Sequence, residues 1–127
     1  RKLTAVGATA TGALTVTGAI TATGTITSNF SDDRLKTKLG NIPDALAKVK
    51  SLSGFYYEAN ETAQALGYEV KREVGVSAQS VQAVMPEVVA PAPIDSQYLT
   101  VHYEKLVPLL IEAIKELELK LTLLENK

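Results

Sequence analysis

The sequence predicts an α+β chain in two unlike parts. The first is a trimeric β-fibre stem of hexapeptide-like repeats. The second is a small mixed domain whose long C-terminal helix is expected to form a trimeric parallel coiled coil. Three observations predict this. A Thr-Gly unit recurs every six residues through the first thirty. At Ser31 an almost uncharged Thr/Gly/Ala stretch gives way to an ordinary charged sequence. Val107, Leu110, Ile114, Leu117, Leu121 and Leu124 then keep a heptad pattern. The parts are residues 1–30 and 31–127, with the coiled-coil helix over 103–127.

In the repeat, Gly12, Gly18 and Gly24 are each preceded by a threonine and followed two residues later by Leu14, Ile20 or Ile26. Alternation of apolar residues with β-branched threonine is a strand pattern. Glycine at a fixed interval permits a tight turn or close backbone approach. A single-chain solenoid of hexapeptides needs about three units per coil and several coils to bury a core. This arm makes roughly one coil, so its apolar stripe must be covered by other copies or by further repeats upstream. The alternative is a flexible low-complexity linker, which has no reason to hold Leu14, Ile20 and Ile26 in register. Arg1 in place of methionine predicts a piece of something longer.

The middle alternates short elements. Ala45, Leu46, Val49 and Leu52 have helical spacing, with Pro43 suited to a first turn. Phe55-Tyr56-Tyr57-Glu58 reads as a strand after the break at Ser53-Gly54. Residues 60–67 read as a turn with a short helix or loop, and 68–74 as charged and irregular. Ala78, Val81, Val84 and Met85 share one face of a short helix that stops before Pro86. Pro91 and Pro93 mark an extended segment or loop, and residues 99–103 a second strand.

The C-terminal helix carries Val107, Ile114 and Leu121 at heptad position a, and Leu110, Leu117 and Leu124 at d. Pro108 fits its first turn. Glu118 and Glu125 fall at e, Lys120 and Lys127 at g. In a parallel bundle Lys120 faces Glu125 of the neighbour, so the pattern predicts parallel self-association. β-branched a with leucine d leans towards two strands, whereas Ile111 at e widens the apolar face for a third. Leu109, Leu119 and Leu123 lie off the seam and are expected to pack on the globular part. The competing arrangement is a monomer whose helix packs on its own domain.

Composition excludes several function classes. Thirteen Lys and Arg against fourteen Asp and Glu leave a net charge of −1, with no electrostatic footprint for nucleic acid or an anionic membrane. Cysteine is absent and His102 is the single histidine, so thiolate and histidine-cluster metal sites are ruled out. No metal or cofactor is called for. No uncharged apolar run approaches the roughly 20 residues that span a bilayer, and no signal peptide is visible.

Four segments stand out in order: Ser31-Asp32-Asp33-Arg34-Leu35-Lys36, Gly75-Val76-Ser77-Ala78-Gln79, Val81 through Met85-Pro86-Glu87-Val88-Val89, and Val101-His102-Tyr103-Glu104-Lys105-Leu106-Val107-Pro108-Leu109-Leu110. Together they resemble the endosialidase-type intramolecular chaperone, the C-terminal auto-processing domain of phage tail spikes and tail fibres. Two positions depart from its pattern: Ser80, where an acid commonly follows Ala-Gln, and His102, where an acid commonly precedes the tyrosine. The resemblance implies a homotrimer that registers the upstream fibre segment of its own chain. It then cuts itself off before a serine. Carried over by position, Ser31 is the nucleophile, Lys36 its general base and Phe30–Ser31 the scissile bond, while Asp32 and Arg34 shape the loop. The product would be a fibre precursor made in the bacterial host cytoplasm, with the chaperone part absent from the mature virion.

The chemistry sets conditions. A serine hydroxyl needs a base, and a lysine is one only when burial or a nearby cation disfavours its charge. Arg34 is a candidate cation and a trimer interface a candidate source of burial. On a continuous helix Ser31 and Lys36 would lie about 140° apart, so a dyad needs a turn between them or a lysine from a neighbouring chain. Asp32-Asp33 suits a turn. The plain alternative is that Ser31 or Asp32 caps a helix and Lys36 is solvated. At the level of function the competitor is a non-cleaving trimeric cap or receptor-binding head. A third reading, a transcription factor precursor that uses the same domain for membrane release, lacks a basic region and a spanning segment.

Overall fold

A computed structural model describes residues 4–127. It divides into two compact units, the first ending at Thr37 and the second beginning at Lys38. Ser31 lies within the first.

In the first unit, residues 4–30 form no strand within the chain. The hexapeptide period instead appears as bends at Thr11-Gly12, Thr17-Gly18 and Thr23-Gly24. Leu14, Ile20 and Ile26 are all largely exposed. The physical reason is pairing: an extended segment becomes a strand only beside another backbone, and residues 4–30 make no such pairing within the chain. A 3-10 turn, Asp33–Leu35, follows.

The second unit runs α1 (Ala45–Lys50), β1 (Phe55–Tyr57), α2 (Glu61–Ala65), β2 (Glu73–Gly75), α3 (Ala78–Val84), β3 (Val89–Ala92), β4 (Asp95–Val101) and α4 (Val107–Glu125). Short 3-10 turns, Pro86–Val88 and Tyr103–Leu106, lead into β3 and α4. The strands form two separate antiparallel pairs, β1 with β2 and β3 with β4. The domain is therefore mixed α and β with small sheets and one long terminal helix.

Its core is the contact of α1 with α4. Leu109 and Ala113, one turn apart on α4, close over Ala45. Ile42, Val49, Leu52, Met85 and Leu106 ring that contact. Val81 of α3 and Val88 of the following turn are buried as well, which agrees with the apolar face read on α3. Asp44 does not act as a helix cap. It sits before α1 in a left-handed conformation, φ 52°, and its side chain caps nothing. The cap comes from α4: Glu116 Oε2 accepts from Ala45 N at 2.6 Å and Leu46 N at 3.2 Å. Glu112 Oε1 accepts from Asn41 Nδ2 at 3.1 Å. One stripe of α4, carrying Leu109, Glu112, Ala113 and Glu116, thus holds α1 and the chain entering it.

Three sequence expectations are corrected. The stretch 68–74 is not wholly irregular: β2 pairs with β1 in the register Phe55↔Gly75, Tyr56↔Val74 and Tyr57↔Glu73. The strand expected at 99–103 runs earlier, over Asp95–Val101, because His102 N turns away to Val88 O at 2.8 Å and a 3-10 turn begins. Leu109 packs inside as expected, but Leu119 and Leu123 stay 56% and 58% exposed. The six residues of α1 span only about 9 Å, so they cover the first turns of α4 and not the last.

Candidate active site at the junction

The loop after the stem is organised by one carboxylate. Asp32 is extended (φ −68°, ψ 131°) and caps the 3-10 turn. Its Oδ1 accepts from Arg34 N at 2.8 Å and Arg34 Nε at 3.1 Å, and its Oδ2 from Arg34 Nη2 at 2.9 Å. The backbone closes behind it, Leu35 N to Asp32 O at 3.0 Å and Lys36 N to Asp33 O at 3.2 Å. Lys36 then returns to an extended conformation, φ −121° and ψ 135°.

A tight turn between extended residues brings together what a continuous α-helix would separate. Lys36 Nζ donates to Ser31 Oγ at 3.0 Å within one chain. In this direction the lysine is the donor; the same separation is within reach for a neutral amine to accept the hydroxyl proton instead. Phe30, on the other side of the bond in question, is exposed. Asn29 before it has φ 58°, the left-handed region.

The electrostatics are local. The side-chain bond from Arg34, followed by its backbone N–H, holds the Asp32 carboxyl below the usual carboxylate range. The same pairing raises the Arg34 guanidinium above its ordinary value. Arg34 therefore directs its fork at Asp32. The pair is open to solvent, 88% and 44% exposed, so its effect is on loop shape rather than stability. His102 lies in the second unit with Nδ1 3.7 Å from Glu104 Oε1. Among the described residues no cluster of His, Asp or Glu could hold a metal ion, and no helix is long and apolar enough to cross a membrane.

The heptad residues Val107, Leu110, Ile114, Leu117, Leu121 and Leu124 are all exposed, between 45% and 65%. They lie on the side of α4 away from the stripe that grips α1. Several positions of consequence were not singled out from the sequence: Glu112, Glu116 and Asn29. Tyr103, read there only as part of a motif, has a hydroxyl that accepts from Val76 N at 3.2 Å. A signal existed for the glutamates. They stand four apart beside Leu109 and Ala113, also four apart, so one stripe of the helix is apolar and acidic together. Gly75 leaves the space that Tyr103 occupies: a Cβ there would stand 2.7 Å from its hydroxyl oxygen.

Comparison with known proteins gives a consistent result. Residues 31–90 match the family described as chaperone of endosialidase, Peptidase S74. Long tail fiber protein Gp37 of Enterobacteria phage K3 is 38% identical over 100 residues, covering 76% of this chain and 8% of that protein. Long tail fiber protein Gp37 of Enterobacteria phage T2 has the same identity over the same length, covering 7% of that protein. The chain therefore spans less than a tenth of the curated relatives it matches. The stretch from Ser31 to Ala90, which begins with the loop just described, is thus similar to the chaperone of endosialidase family.

Proposed function

We propose that this chain is the C-terminal chaperone of a phage tail fibre. It gathers three copies, sets the upstream β-structured stem in register and then releases itself by cutting Phe30–Ser31. The observation that carries the reading is the 3.0 Å contact between Lys36 Nζ and Ser31 Oγ, directly after the bond to be cut. The cut would separate residues 1–30, the end of the stem, from 31–127, the chaperone. The stem would enter the virion, and the chaperone would stay behind in the host cytoplasm.

In the reaction, neutral Lys36 takes the Ser31 hydroxyl proton as Oγ attacks the Phe30 carbonyl carbon. The C–N bond to Ser31 breaks, its nitrogen receives a proton, and the Phe30 acyl group moves to Oγ as an ester. Water then hydrolyses the ester, leaving a carboxylate on Phe30 and a free amine and hydroxyl on Ser31. A neutral lysine requires an environment that disfavours its charge. Arg34 is engaged by Asp32, so the burial falls to the neighbouring chains, and cleavage waits for assembly.

Two features support assembly of three chains. The a/d residues of α4 form an exposed apolar stripe that nothing in the second unit covers. Gly12, Gly18 and Gly24 have no positive φ and no neighbour within 4 Å of an added Cβ. Nothing inside one chain demands glycine there, whereas close approach of three chains would.

The test is intact mass and light-scattering size of the purified chain beside Ser31→Ala and Lys36→Ala. The parent should yield a fragment starting at Ser31 in a trimer. Ser31→Ala should stay whole, and Lys36→Ala should slow cleavage by about 10²- to 10⁴-fold. Cutting at Phe30–Ser31 in both variants would refute the dyad. A stable uncut trimer of the parent would instead support the permanent cap or receptor-binding head.

A further inference from the structure

The stem repeat does not end at Gly24. Carried forward six residues, its Thr-Gly corner falls on Asn29-Phe30, and the structure bends there again, at Asn29. This fourth corner differs from the other three in two ways. Phenylalanine stands in the glycine place. And Asn29 adopts φ 58°, while Gly12, Gly18 and Gly24 keep ordinary backbone. Asparagine is among the few residues other than glycine that visit this region readily.

We propose that Asn29-Phe30 is a built stop to the hexapeptide path, and that Asn29 is a positioning residue for cleavage of the next bond. The inference rests on the cleavage reading above. Along the stem, each corner carries the chain onward in extended form, its peptide groups set to pair with neighbouring backbones. A bond inside such a ladder has its carbonyl engaged and is a poor target for the Oγ beside it. The left-handed conformation at Asn29 bends the path away from the extended course, and the Phe30 ring cannot enter a site kept for glycine. The Phe30–Ser31 bond thus leaves the stem one residue before Asp32 fixes the loop that presents Lys36 to Ser31.

Rates of appearance of the Ser31 fragment test this in four full-length chains: the parent, Ser31→Ala, Asn29→Gly and Asn29→Val. Glycine tolerates the left-handed turn and should cut within about threefold of the parent. Valine disfavours it and should cut about tenfold slower or worse at unchanged oligomer size. Hydroxylamine, which opens an accumulated ester, should not restore the valine variant, because the defect precedes the acyl shift. A fifth chain, Phe30→Gly, rebuilds the ordinary corner and should also slow cleavage by about tenfold. A valine variant as fast as the parent overturns the inference, as does glycine slowed as much as valine, or Phe30→Gly at the parent's rate. A parent that never cuts overturns the cleavage reading and this inference with it. Cutting of Ser31→Ala at the same bond overturns the dyad alone, and the Asn29 comparison still decides the corner.

Discussion

At the scale of single residues, the junction is shaped by Asp32 more than by the two residues that would react. Its carboxylate takes the Arg34 backbone N–H and both ends of the Arg34 fork. The Asp32 pKa is depressed in the folded loop, so the sign follows. The clamp is fully present above the carboxyl's ordinary value, 3.8, and is lost as pH falls through the lower folded value. A carboxyl NMR titration should accordingly place the Asp32 midpoint below 3.8, and Arg34→Ala should return it towards that value. Asp32→Ala should remove the cap and slow self-cleavage by about tenfold or more, since a misplaced general base costs rate steeply. Asp32→Asn keeps an acceptor for the Arg34 backbone N–H and should lose less.

At the scale of elements, α4 serves two masters with two faces. Leu109 and Ala113 supply the apolar contact to α1, and Glu116 supplies the cap that Asp44 does not. Leu109→Ala should cost about 2–5 kcal/mol of unfolding free energy, since the site is fully buried. Glu116→Ala should cost about 1 kcal/mol by exposing the first N–H groups of α1, with Glu116→Gln milder. Both are read from denaturant midpoints at fixed protein concentration, because stability is linked to oligomer size. The two-stranded sheets are too small to stand alone. β3 and β4 draw support from α3, and β1 and β2 from Tyr103 at Gly75 and Val76.

At the scale of the molecule, the exposed heptad stripe is where the proposed assembly is tested. Ile114→Lys together with Leu117→Lys should convert the assembly to monomers by light scattering while leaving the Leu109–Ala45 core intact by near-ultraviolet dichroism. If burial of Lys36 by neighbours is what makes it a base, the same double variant should stop self-cleavage although Ser31 and Lys36 are untouched. Cleavage at the parent rate in such a monomer would show that one chain supplies the whole site. The overall composition agrees with this division of labour. The arm before Ser31 carries almost no charge and many threonines, while glutamates and lysines stand at the e and g positions of α4.

The sequence by itself determined the period of the arm, the amphipathic α3, the heptad stripe of α4 and the motif order that marks the family. Each of these is written in local spacing, and local spacing is what side-chain periodicity reports. It also posed the condition that Ser31 and Lys36 need a turn between them. Only the tertiary structure decided which stripe of α4 meets α1, because Leu109, Leu119 and Leu123 are equally apolar as letters and differ only in how far six residues of α1 extend. The same holds for Glu116 capping a helix 71 residues earlier in the chain and for β2, whose partner lies across α2. The absence of strands in residues 4–30 has a related cause. Strand pairing needs a second backbone, and residues 4–30 find none within the chain.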